Sequence, residues 1–199
     1  MQKIALPEPK IKGSYSIEKA LYNRVSRRSF GAGSLNLAQV GQLLWAAGGL
    51  GVDGVASVSR TAPSAGATYP LELYLVAGLV EGLGAGLYYY DYRVHFLDVL
   101  QKGDLRPRLV KAALGQRMIG EAPAVIVMVA QYGRTTGRYG ERGYRYVHMD
   151  VGYMSQNIYL QAEALEMATV AVGAFDDAGV KEILGVEGEP LMIMPVGRR

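Results

Sequence analysis

Arg24, Ser26 and Arg28 alternate within Arg24-Val25-Ser26-Arg27-Arg28. In an extended segment such positions share one side, so the three side chains can converge on a single anion. Arginine suits that task because it stays charged and forks onto phosphate oxygens. Arginines at a helix end also serve as plain solvated charge. Residues 60–78, RTAPSAGATYPLELYLVAG, offer a second possibility. Ser64, Ala65, Gly66, Ala67 and Thr68 stand between Pro63 and Pro70, small enough for backbone amides to approach a flat or anionic ligand. Gly66 adds backbone freedom. The same composition suits a tight loop entering a buried strand. Residues 132–146 interleave Arg134, Arg138, Arg142 and Arg145 with four tyrosines, and the arginine spacing predicts one helical face. Four arginines with Glu141 among them make a small footprint for nucleic acid. A solvated face or a substrate entrance fits as well.

Other chemistries find little support. The chain has 199 residues and no cysteine, which excludes disulfides, thiolate catalysis, zinc–thiolate sites and iron–sulfur clusters. His95 and His148 are isolated and lack metal-ligand spacing, so no metal site is expected. Gly82, Gly84 and Gly86 lead into a strand pattern, against a dinucleotide fingerprint. Half of the residues are hydrophobic and a fifth charged, with a net charge of +3. That is ordinary for one globular domain and too weak for a dedicated nucleic-acid binder. The opening MQKIALPEPKIKGS has no apolar segment of a signal peptide, and no apolar run is long enough to span a bilayer. A cytoplasmic protein with no membrane partner is expected.

The elements that must position these residues follow from capping and periodicity. Residues 1–15 read as an extended arm and 16–199 as one domain. Ser16 is placed to cap a helix running to Asn23, and Asn36 to cap one over 37–47 that ends at Gly48-Gly49. Trp45, on that helix, reads as core, and residues 48–59 as a loose connector. Strands are expected at 71–77, at 87–90 paired with 94–99, and at 124–130, 169–173 and 191–196. Tyr88-Tyr89-Tyr90 reads as sheet surface and edge. Asp104 is placed to cap a helix reaching Ala113, and Asp177 one that Gly185 stops. The longest helix is expected over 147–167. It is so weakly polar that it must be buried, within the subunit or against a second one.

PSAGATYPLELYLV resembles the loop of the FMN-dependent nitroreductase family, in its SagB-type dehydrogenase branch. Residues 24–28 match that family's Arg-x-Ser-x-Arg pattern. Gly173-Ala174-Phe175-Asp176 and Pro195-Val196-Gly197-Arg198 supply a third match, so the resemblance runs from about Ser16 to the C-terminus. It implies an α+β fold with a central mixed sheet flanked by helices in α/β/α layers, and an intertwined homodimer. It also implies noncovalent FMN. Arg24, Val25 and Ser26 would hold the phosphate and ribityl chain, joined by Arg198, and Arg28 would approach the flavin N1/O2 edge. Pro63, Ser64, Ala65, Gly66 and Ala67 would lie against the ring, often from the opposite subunit, and the Gly173 and Ala174 amides would face N5. Arg138 and Tyr139 would border the substrate entrance. The implied reaction is ping-pong: NAD(P)H delivers hydride to N5, and a small organic acceptor of nitroarene or quinone type is then reduced. The alternative is an azoline dehydrogenase acting on a peptide. Those relatives use a Lys-Tyr pair where this chain has Arg138-Tyr139, and arginine is a poor general base. A non-catalytic flavin- or RNA-binding module is the reading from another class. Tyr153 stands where many relatives carry histidine.

Overall fold

Side chains alternate between two cores along β5 (Ala124–Ala130), and that alternation sets the layers. Ala124, Ile126, Met128 and Ala130 enter one core with residues of α2 (Leu37–Gly48) and α6 (Arg142–Ala164). Val125, Val127 and Val129 enter the other. There they meet α3 (Arg106–Ala112), α4 (Met118–Glu121) and α7 (Asp177–Leu184). An unbroken apolar strand is what a sheet covered on both faces requires. The computed structural model describes residues 2–51 and 59–199, so most of the expected 48–59 connector lies outside the described residues.

The remaining strands are β1 (Lys3–Ala5), β2 (Leu71–Ala77), β3 (Gly86–Asp91), β4 (Phe96–Lys102), β6 (Met167–Thr169) and β7 (Glu189–Arg198). They form one sheet in the order β1-β4-β3-β2-β5-β7-β6. The α+β class with helices on both faces is as expected. The expected mixed sheet is corrected, since every pairing between these strands is antiparallel. The β3–β4 hairpin reverses the chain directly, and α3 with α4 reverses it again before β5. Part of the expected arm is β1, which pairs with β4 at the sheet edge. His95 clips it further, one ring nitrogen 2.8 Å from the Tyr90 hydroxyl and the other 3.0 Å from the Pro7 carbonyl.

Capping fixes the helix starts. Ser16 caps α1 (Ile17–Asn23) by accepting from the Lys19 amide. Asn36 and Gln39 satisfy each other's backbone amides at the start of α2, a reciprocal capping box. Leu105 occupies the cap position before α3, but the Asp104 carboxylate still accepts from the Arg106 amide at 3.1 Å. Three expectations fail on packing. Tyr88 and Tyr90 are buried in the core, not at sheet surface or edge. Trp45 is half-buried, its indole N–H donating to the Leu50 carbonyl at 2.9 Å. Residues 132–146 are not one helix: α5 (Gly133–Tyr139) stops at Gly140, whose φ of 56° and ψ of −144° few other residues adopt. Arg134 and Arg138 therefore lie on α5, and Arg142 and Arg145 on α6.

Candidate functional site

The end of α1 turns the chain from helix to strand-like backbone. The Arg24 amide still donates to the Ala20 carbonyl, but Arg24 itself has ψ of 118°. The extended segment then docks on β6, where the Arg27 amide donates to the Thr169 carbonyl at 2.9 Å. Alternation now separates the side chains. Arg27 reaches the Glu163 carboxylate on α6. Arg24 and Ser26 converge instead on Tyr159, with the Arg24 guanidinium 5.3 Å from the ring centre and the Ser26 hydroxyl 2.8 Å from the phenol oxygen. That phenol also accepts from the Ala171 amide at 2.8 Å. Tyr159 thereby links the Arg-x-Ser-x-Arg segment to the stretch leading into Gly173 and Ala174; the strand expected over 169–173 is instead β6, which ends at Thr169. Both are exposed, and a β-carbon at Gly173 would meet nothing within 4 Å. Gln116 steadies this turn by donating to the Ala174 carbonyl at 2.8 Å. Val25 and Arg28 are exposed. Arg198, at the end of β7, donates to the Ser34 carbonyl at 2.9 Å.

Electrostatics divides the five arginines of this region into two sets. Glu163 is 2 % exposed and is neutralised by Arg27 and Arg199 together. Among the described residues, no carboxylate lies within ion-pair distance of Arg24, Arg28 or Arg198. Arginines without a carboxylate partner keep guanidinium donors for an anion from outside the chain.

The small-residue loop lies elsewhere on α6. Ala65–Ala67 form a single 3₁₀ turn with Gly66 at φ 57°. A β-carbon on Gly66 would meet the Tyr139 hydroxyl and the Arg138 guanidinium, the ends of two flexible side chains, and it is the positive φ that favours glycine here. Arg138 donates to the Gly66 carbonyl at 3.1 Å. Asp150 on α6 is buried and accepts from the Ser64 hydroxyl at 2.6 Å. Burial pushes the Asp150 carboxyl above its ordinary range, opposed by the Ser64 hydroxyl and the Ala65 amide. Arg60 opens the loop from within the core, its Nε donating to the Gly48 carbonyl at 2.6 Å and its guanidinium 3.9 Å from the Tyr92 ring centre.

The structure thus brings Arg24 and Ser26 together with the approach to Gly173-Ala174, and separately gathers residues 63–67 with Arg138 and Tyr139. Asp150 and Tyr159 stand nine positions apart on α6, about 14 Å at 1.5 Å per residue. Sequence reasoning missed Tyr159, Asp150, Glu163 and Arg60. One of these carried a signal: Asp150 is an acid three residues after Val147 and four before Met154, along the apolar stripe of the helix.

The Nitroreductase family model matches residues 21–198. "Putative nitroreductase MJ1384" of Methanocaldococcus jannaschii is 42 % identical over 183 residues, 92 % of this chain and 91 % of that protein. The trifolitoxin-processing protein TfxB of Rhizobium leguminosarum bv. trifolii is 26 % identical over 133 residues, 64 % of this chain and 36 % of that protein. The crystal structure of a "putative nitroreductase" from Ralstonia eutropha superposes with a TM-score of 0.85 at 29 % identity, covering all of this chain and 90 % of the other. Its motifs, its fold and these likenesses agree, and the chain belongs to the nitroreductase family, with likeness extending into the SagB-type branch.

Proposed function

We propose that the chain is an FMN-dependent oxidoreductase, working as a homodimer, that takes electrons from NAD(P)H and reduces a small organic acceptor. The observation that carries this reading is the unpaired cation set. Among the described residues Arg24, Arg28 and Arg198 lack carboxylate partners, while their neighbours Arg27 and Arg199 are committed to Glu163. In this reading Arg24, Ser26 and Arg198 hold the phosphate and ribityl chain, with Val25 flanking them. Arg28 places positive charge at the N1/O2 edge, where charge appears on reduction. The Gly173 and Ala174 amides face N5, and residues 63–67 cover the ring. Arg138 and Tyr139 border the entrance. Bound there, FMN supplies hydride acceptance from a nicotinamide and its onward transfer to a nitroarene or quinone in a separate half-reaction. The protein's own work is anion binding, charge placement and exclusion of water.

A second reading is favoured by the likeness to a toxin-processing protein: an azoline dehydrogenase acting on a peptide. Arg138-Tyr139 beside Gly66 would then stand at the position of the branch's Lys-Tyr pair. One experiment separates the two. The purified chain is expected to show a flavin absorption spectrum, bleached anaerobically by NADH or NADPH and restored by a quinone. Bleaching by a thiazoline peptide and by neither nucleotide gives the function to the second reading. A colourless protein that takes up no added FMN overturns both.

A further inference from the structure

Asp150 has no part in the chemistry above, yet it is 4 % exposed on α6 and aimed at the loop. Its Oδ2 accepts from the Ser64 hydroxyl at 2.6 Å, and the Ala65 amide also donates to it. The Ser64 oxygen in turn accepts from the Tyr69 amide at 3.0 Å. One carboxylate therefore ties α6 to both ends of the turn formed by residues 64–69. That turn is strained. Gly66, Ala67 and Tyr69 have φ of 57°, 53° and 43°, and two of them carry β-carbons that crowd the backbone in this region. Such conformations persist only where the surroundings over-determine them, and they concentrate where a ligand must be met in one fixed shape. Thr135 and Arg138 of α5 hold the far side, through the Thr68 hydroxyl at 2.8 Å and the Gly66 carbonyl at 3.1 Å. Asp150 holds the turn from the helix core.

We infer that Asp150 is a positioning residue: its carboxylate keeps residues 64–69 in the strained shape that presents the Ser64–Ala67 backbone to the flavin. This rests on the flavin reading above for its ligand, but the hold on the turn can be read without flavin. The test compares the full chain with Asp150→Ala and Asp150→Asn, first by amide hydrogen exchange on flavin-free protein. Asp150→Ala is expected to speed exchange at residues 65–69 by about tenfold or more, with the interior of α6 unchanged, the scale of one lost buried hydrogen bond. Asp150→Asn keeps one acceptor and is expected to recover most of the protection. If Asp150→Ala does not fold, Ser64→Ala removes the same link from the other side and is expected to give the same local opening.

FMN titration follows. The alanine variant is expected to bind FMN several-fold more weakly and to change the visible circular dichroism of bound flavin. Adding Ala67→Gly, which removes strain from the turn, is expected to restore part of the affinity. Unchanged exchange at residues 65–69 in both Asp150→Ala and Ser64→Ala overturns the hold. Faster exchange with unaltered FMN affinity and dichroism overturns the positioning role. A wild-type chain that takes up no FMN instead sinks the flavin reading, and with it the ligand named here, while the exchange result still decides the hold.

Discussion

Arg24 and Arg27 lie in one extended segment and do opposite work. Arg27 neutralises a buried acid, whereas Arg24 faces a phenol ring and open surface. Arg24→Ala is therefore expected to leave the fold intact and to weaken FMN binding by about 1.5–3 kcal/mol, the scale of a charge-assisted hydrogen bond. Fluorescence titration of the folded variant checks this, and parental affinity removes Arg24 from the phosphate. Asp150 makes a second prediction, this one in pH. Its carboxyl is raised by burial, so the folded chain holds that proton more tightly than the unfolded chain does. The stability it contributes is present below the ordinary carboxylate range and is lost as pH rises through the raised value. Asp150→Asn cannot ionise. The stability of the parent minus that of Asp150→Asn, from urea unfolding at stepped pH, is expected to fall from about pH 4 upward. A flat difference shows that the carboxyl titrates alike in both states.

At the scale of elements, α6 organises the molecule. It carries Asp150 under the loop, Tyr159 under the arginine segment and Glu163 under the chain's last strand. Glu163 is where this matters most for stability. Arg27→Ala leaves a buried carboxylate with one partner in place of two and is expected to cost about 3 kcal/mol. Glu163→Gln, which removes the charge along with the need for partners, is expected to cost less. Denaturant midpoints at matched slope measure both. Helices α1, α2, α3 and α7, strands β2 and β5 and the two caps at Ser16 and Asn36 were legible because capping chemistry and periodicity are local. The break at Gly140 was not, because arginine spacing reads the same across a glycine until its backbone angles are known. Likewise Arg24 and Arg27 are indistinguishable as residue types. Only the docking of the segment on β6 decides which one turns inward.

At the scale of the whole molecule, apolar surface is left uncovered where α1 and α6 show to solvent. Leu21, Tyr22, Val25, Met149 and Tyr153 are each more than 45 % exposed. A second subunit would cover large apolar side chains left exposed in this way. Sedimentation is expected to find a dimer at micromolar concentration, and substituting Met149 and Tyr153 together by glutamate is expected to shift it to monomer. A compact monomer that still holds FMN defeats the paired-subunit reading.

The distance along α6 between its loop end and its arginine end has a genetic consequence. If each flavin lies between one chain's arginines and the other chain's loop, two defective alleles can repair one another. A dimer joining an Arg24→Ala chain to a Gly66→Val chain has one position with both halves damaged and one with both halves intact. Co-expression, or mixing after mild denaturation, is then expected to regain flavin and activity that neither homodimer shows, at one intact position per mixed dimer. Were each position complete within a single chain, the mixture would be as inactive as its parents.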